Sequence, residues 1–204
     1  MSLIKPLLAF FPLICCITAF AQTQQDIPAP SFTQKDTTYW VYNFRQFRDA
    51  VYQNDIAKAK SFMDFPFIDD NNEIWYLAYD FNEPLTNKLG SNVKPFTEGD
   101  FYKYFNRLFP KSFINCLLKI KTDTLYKEAR YETRTFEDSL ASNSYMMYVT
   151  LDRSESTLTL NLASQPVYGH KEDEDQDGGE FNIIYLFKIT RKGHIKLQSV
   201  KLAG

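Results

Sequence analysis

A chain of 204 residues with 44% hydrophobic and 16% aromatic positions can bury one sizeable core, and a second full domain would be cramped. Its 23 basic and 25 acidic residues leave a formal charge of -2, spread along the whole length. With no basic field to concentrate a polyanion, nucleic acid is excluded as a natural partner.

The first 21 residues stand apart. Lys5 supplies a short charged start, Pro6 to Phe20 an apolar run, and Ala19-Phe20-Ala21 a small-residue cleavage pattern before Gln22. Together these read as a secretory signal peptide over 1–21. The run is shorter than the about 20 apolar residues needed to cross a bilayer, and Pro6 and Pro12 weaken it further, so no transmembrane span is expected. A lipoprotein would be acylated at Cys15 or Cys16, yet Ile14 and Cys15 stand where a small residue is needed. Cleavage after Ala21 fits better and makes the mature chain periplasmic or extracellular. It also leaves Cys116 as the remaining cysteine, so the domain must hold by packing without an internal disulfide. With Ile114 and Leu118 on the same strand parity, Cys116 reads as a small buried hydrophobe.

Residues 22–37 are polar, carry Pro28 and Pro30 and show no period, which predicts a tether. A single domain is expected over 38–204. Trp40, Phe44, Phe47 and Val51 recur at helical spacing, so a first helix is predicted over 38–53. Asn54-Asp55 supplies a turn and an N-cap for a second helix striped by Ile56, Ala59 and Met63, stopped at Phe65-Pro66 because a residue preceding proline leaves the helical region. The short connection folds the two into an αα-hairpin. Asp69 to Asn72 is a turn cluster, and Ile74 to Tyr79, apolar on both parities, reads as a short buried strand. Residues 82–96 read as a loop. Thr97-Glu98-Gly99-Asp100 is a capping-box candidate for a third helix carrying Phe101, Tyr104, Phe105 and Leu108.

Residues 113–120 suit a strand or a further helical turn. Tyr126 to Phe136 alternates as a strand with a wet face of Glu128, Arg130, Glu132 and Arg134 and a second face of Ala129, Tyr131 and Thr133. Tyr145 to Leu151 and Thr157 to Ala163 form an antiparallel hairpin. Phe181 to Ile189 is apolar on both parities, as a central strand would be. The last strand, Ile195 to Leu202, slips parity between 197 and 200, which predicts a bulge.

This order, two helices, strand, helix and then long antiparallel strands, resembles the NTF2-like (cystatin-like) α+β cone. The chain is also similar to small exported proteins of that family from Bacteroidota. The resemblance rests on Asp64-Phe65-Pro66-Phe67, on Phe96-Thr97-Glu98-Gly99-Asp100-Phe101, and on Ile184-Tyr185-Leu186-Phe187 with Gly193-His194-Ile195-Lys196-Leu197. It covers about residues 40 to 203 and departs at Ile195, where such proteins often carry Trp. It implies a helical hairpin and a third helix packed against a curved sheet, and a fold shared by isomerases, cyclases, dehydratases and non-catalytic binders.

The sharpest local motif is Asp173-Glu174-Asp175-Gln176-Asp177-Gly178. Asp173, Asp175 and Asp177 can converge on a hard cation such as calcium, but the position of the closing bidentate Glu is Ile184 and the flanks are strands. The same run makes a solvated acidic hairpin loop turned by Gly178-Gly179. His170 and His194 both sit beside turns and read as exposed. No nucleophile elbow, phosphate loop or zinc spacing is present. As proton-transfer groups only Asp80, Tyr131 and Tyr185 offer themselves. Trp75, Tyr79, Tyr131, Tyr145 and Tyr185 would line a cone and take an apolar or ring-shaped ligand. A filled core uses the same residues, and both readings stand at this point. The expected function is an exported, non-catalytic binding domain for a small molecule, a peptide or an envelope protein, with a possible homodimer. The alternatives are a pocket enzyme of the isomerase or cyclase type using one buried Asp or Tyr, and a calcium-steadied interaction module.

Overall fold

The computed structural model describes residues 39–69, 71–79, 92–138, 143–166 and 180–204, all within one compact unit, Phe32–Gly204. The expected signal peptide and tether, Asp80, His170 and the acidic run with Asp173, Asp175 and Asp177 lie outside the described residues. The fold is α+β, with six helices and a six-stranded, curved, unclosed antiparallel sheet among the described residues.

Helix α1 is Trp40–Tyr52, and the predicted stripe of Trp40, Phe44, Phe47 and Val51 is buried together with Val41 and Ala50. Asn54 turns the chain with φ 56, and the Asp55 side chain accepts from the Lys58 backbone N–H to start α2, Ile56–Ala59. A 3-10 turn, Lys60–Phe62, completes it. The helix stops short of the proline because Met63 is extended (φ -128, ψ 156) and forms a parallel bridge with Leu197.

Residues 74–79, expected as a strand, are helical: α3 runs Glu73–Tyr79. Asp69 explains the difference, because its Oδ2 accepts from the Ile74 N–H at 2.9 Å and its Oδ1 from the Asn71 N–H at 3.3 Å, so the turn cluster caps a helix start. Ile74, Trp75, Leu77 and Ala78 are then buried on one side. The third predicted helix appears as α4, Glu98–Leu108, with both halves of the Thr97/Asp100 capping box formed. Residues 113–120 resolve as helical: α5 is Lys111–Leu117, burying Phe113, Cys116 and Leu117. Cys116 is thus a core residue, though on a helix and without strand parity to Ile114 and Leu118.

The expected long strand over 126–136 is largely replaced. Helix α6, Thr122–Glu128, ends at Ala129 in the left-handed region (φ 60, ψ 6), and only β1, Arg130–Glu132, and β2, Phe136–Asp138, are extended. Even so, Glu128, Arg130, Glu132 and Arg134 are all exposed. The hairpin is β3, Asn143–Asp152, with β4, Thr157–Pro166. Then β5, Phe181–Ile189, and β6, Ile195–Ala203, complete a sheet ordered β1-β3-β4-β5-β6, with β2 also on β3. The predicted bulge is present: Leu186 faces Ser199 while Phe187 faces Leu197, leaving Gln198 as the extra residue.

Register divides the sheet into two faces. Tyr145, Met147, Val149, Leu151, Leu158, Leu160, Tyr185, Phe187 and Leu197 are buried on the side packed by the helices. Phe47 is the hub, with ring centroids 5.5 Å from Phe62, 5.6 Å from Phe109 and 5.0 Å from Phe187. The opposite face carries Tyr148, Thr150, Thr159, Asn161, Ile184 and Leu186 in facing register. Ile184 and Leu186 are half-buried, so β5 is central in the sheet but fully covered on one face alone.

The free side of β6 is occupied. Besides the Met63–Leu197 bridge, Lys196 Nζ donates to Asp64 Oδ1 at 2.7 Å and the Leu202 N–H to Glu73 Oε1 at 3.3 Å.

Candidate functional site

The five aromatic residues expected to line a cone fall in three places. Trp75 is fully buried on α3. Its indole N–H donates to the Lys94 carbonyl at 2.8 Å, its ring packs 5.3 Å from Tyr79 and 4.9 Å from Phe96, and the Lys94 ammonium stands 4.1 Å above it. Tyr79 is half-buried and also meets Tyr104 edge-on at 5.7 Å. These two residues belong to a layer between α3, α4 and the 92–96 segment.

Tyr185 is buried on the helix-facing side of β5, 4.6 Å from Phe113 and 6.0 Å from Phe109. Its hydroxyl donates to the Leu108 carbonyl at 2.7 Å, which satisfies the one polar atom that burial would otherwise penalise. Burial also drives the phenol well above its ordinary pKa, so Tyr185 does not ionise near neutrality. Tyr145 stacks on Phe136 at 5.8 Å and accepts from Asn115 Nδ2 at 3.1 Å. These two are packing residues, each with its hydroxyl engaged.

Tyr131, the fifth, borders an open groove of about 740 Å³. Its construction starts at Ala129, which closes α6 by donating its N–H to the Leu125 carbonyl and then accepts from the Leu151 N–H at 2.8 Å, so one left-handed residue turns helix into edge strand. Thr124 and Glu128 of α6, Arg130, Tyr131 and Glu132 of β1, and Tyr148 and Thr150 of β3 form its polar and aromatic walls. In the β1–β3 register Arg130 faces Thr150 and Glu132 faces Tyr148, whereas Tyr131 faces the buried Val149. Arg130, Glu132, Thr150 and Tyr148 therefore share the solvent side, where Tyr148 is 41% exposed. Among the described residues none of these wall side chains makes a hydrogen bond or ion pair.

Beside Tyr148 in register lies Asn161, whose Oδ1 is buried without a hydrogen-bond partner. The wet alternation of Glu128, Arg130 and Glu132 was the visible signal for this groove. Tyr148 had one too: it is an aromatic on the outward parity of a strand whose other parity, Tyr145, Met147, Val149 and Leu151, builds the core.

Among the described residues no three His, Cys, Asp or Glu side chains converge as a metal site. His194 is exposed, as expected, with its Nδ1 3.3 Å from Asn43 Oδ1. Cys116 is buried beneath Thr133, whose hydroxyl lies 3.8 Å from Sγ and accepts from the Met147 N–H. Burial pushes the thiol pKa up to about 11, the opposite of an activated nucleophile. Among the described residues no helix is long and apolar enough to cross a membrane.

Compared with family models, with curated proteins and with solved structures, the chain gives no match.

Proposed function

We propose that this chain is an exported, non-catalytic binding domain of the NTF2-like type that holds a small polar ligand in the groove along β1 and β3. The observation carrying this reading is the contrast between two sets of polar groups. Inside the fold, the hydroxyls of Tyr185 and Tyr145 and the indole N–H of Trp75 each have a partner. Around the groove, two carboxylates, a guanidinium, two phenols and two threonine hydroxyls have none among the described residues. Polar side chains left without internal partners around a concavity of this size are free to orient a ligand.

Amide-resolved NMR of the isotopically labelled protein, titrated with a library of small polar fragments, tests this. Binding should shift the signals of 129–132 and 148–150 while leaving Trp75 and Tyr185 in place. Shifts confined to the signals around Tyr185 and Phe113 would place the ligand in the helix-side interior and refute the reading.

A further inference from the structure

We infer that the ligand class of this groove is a neutral oligosaccharide, with Tyr148 as the ring on which a sugar face stacks; this rests on the groove being the binding site. The argument begins with the sequence of charges around it. Arg130, which can only donate hydrogen bonds, stands between Glu128 and Glu132, which at neutral pH can only accept. An organic cation would meet the guanidinium, and an anion would meet two carboxylates. A hydroxyl group donates and accepts at one atom, so a polyol satisfies both kinds of neighbour at once.

Spacing agrees with this. Arg130 and Glu132 are two residues apart on one strand, hence about 6.6 Å apart along the same face, a separation that hydroxyls on one sugar or two adjoining sugars can span. Glu132 faces Tyr148 directly and Arg130 faces Thr150, so the charged groups flank an exposed phenol ring on the solvent side. A sugar offers an apolar C–H face to such a ring and hydroxyls at its rim, which matches one flat aromatic bordered by planar charged groups. Asn161 continues the row from Tyr148, and its partnerless Oδ1 is an acceptor that a hydroxyl reaches once the amide rotates. The groove is open, and Ala129, Val149 and Leu151 add apolar surface between its polar walls, a mixed lining in keeping with a sugar's C–H faces and hydroxyl rim and unlike the enclosed cavities that hold hydrophobic ligands.

Calorimetry and amide NMR of the purified protein with cellohexaose, maltohexaose, xylohexaose, mannohexaose and N-acetylchitohexaose test the inference, with spermidine and polygalacturonate as charged comparisons. At least one neutral hexaose should give saturable heat and shift the 148–150 signals. Tyr148→Ala should weaken that binding about tenfold or more while Tyr148→Phe keeps it. An unchanged thermal midpoint in Tyr148→Ala shows that the fold is intact. If no neutral hexaose binds but spermidine or polygalacturonate shifts 129–132 and 148–150, the sugar assignment is wrong and the groove remains the binding site. If a hexaose binds without moving those signals, both the assignment and the groove are wrong; if those signals move but Tyr148→Ala binds as tightly as the parent, the stacking assignment is wrong and the groove stands. If none of these ligands binds, the sugar assignment is wrong.

Discussion

Phe47 lies at the centre of the interface between α1 and the sheet, 1% exposed, with ring contacts to Phe62, Phe109 and Phe187. Phe47→Asp changes two quantities there. Losing the ring removes transfer and packing energy of about 3–5 kcal/mol. Placing a carboxylate among those aromatics adds a further cost of several kcal/mol when it is ionised. Against a typical total stability of about 5–15 kcal/mol, the variant should be largely unfolded at pH 7. The second cost depends on pH and the first does not. Burial raises the folded-state pKa of the new carboxyl above its unfolded value of about 3.9, so the folded variant binds more protons. Its stability therefore falls by about 1.4 kcal/mol per pH unit as pH rises above about 4, until the folded pKa is passed. Phe47→Asn has nearly the same shape without the titration. Urea unfolding followed by circular dichroism from pH 4 to 8 separates the two. The Asp variant should recover toward the Asn variant at pH 4 and fall below it at pH 7. An Asp variant with the parent's midpoint at pH 7, or one that tracks the Asn variant at every pH, would mean that position 47 is hydrated and would refute the packing role of α1.

Three further outcomes follow from local geometry. Ala129 carries a Cβ at φ 60, where an L residue costs about 1–2 kcal/mol and glycine does not, so Ala129→Gly should raise the unfolding free energy from urea titration by about 0.5 kcal/mol after its larger unfolded-state entropy; a fall would show the turn to be unstrained. Asn161→Val removes a buried oxygen with no donor and should stabilise the free protein by about 1 kcal/mol, whereas destabilisation would reveal an internal partner. The Cys116 thiol, raised from 9.0 to about 11 by burial, favours its neutral form in the fold, so its contribution is complete below the unfolded pKa and lost as pH climbs toward 11. The parent should lose about 1.4 kcal/mol per pH unit across that window and Cys116→Ala measurably less; equal slopes would remove the thiol as the cause.

Where a residue's identity acts through its immediate neighbours, the sequence was legible. Thr97 and Asp100 announce α4 because the capping box is completed within four residues, and the stripe from Trp40 to Val51 has a period that only a helix can bury on one side. The bulge at Gln198 follows from a parity slip that an even ladder could not accommodate. Ile74 to Tyr79 is helical where a strand is expected, because a short run apolar on both parities suits a buried strand and a buried helix equally. What decided it was Asp69 reaching the Ile74 N–H, a side-chain choice that composition does not show. Helix α6 was hidden differently: the alternation of Glu128, Arg130 and Glu132 marked exposure correctly, but exposure persists across the left-handed turn at Ala129, so it did not mark where helix became strand. The expected aromatic lining was scattered for a similar reason, since Trp75 and Tyr185 have the residue types of a pocket wall and their hydroxyl or indole partners come from segments distant in sequence. The groove depends on pairing β1 with β3, and no local pattern sets that register.

The occupied flank of β6 limits how copies of this protein can join. A chain of molecules stacked edge to edge needs two different open strand edges on each copy, one to offer and one to receive. Met63, Asp64 and Glu73 already fill the β6 side, at Leu197, Lys196 and Leu202. Among the described residues, the short edge at β1 and β2 is the one left at the other end of the strand order. Association through strand edges must then use the same edge twice, and a contact of that kind closes at two molecules. The clamp that anchors the helical hairpin to the last strand is, by the same geometry, a stop against fibre growth.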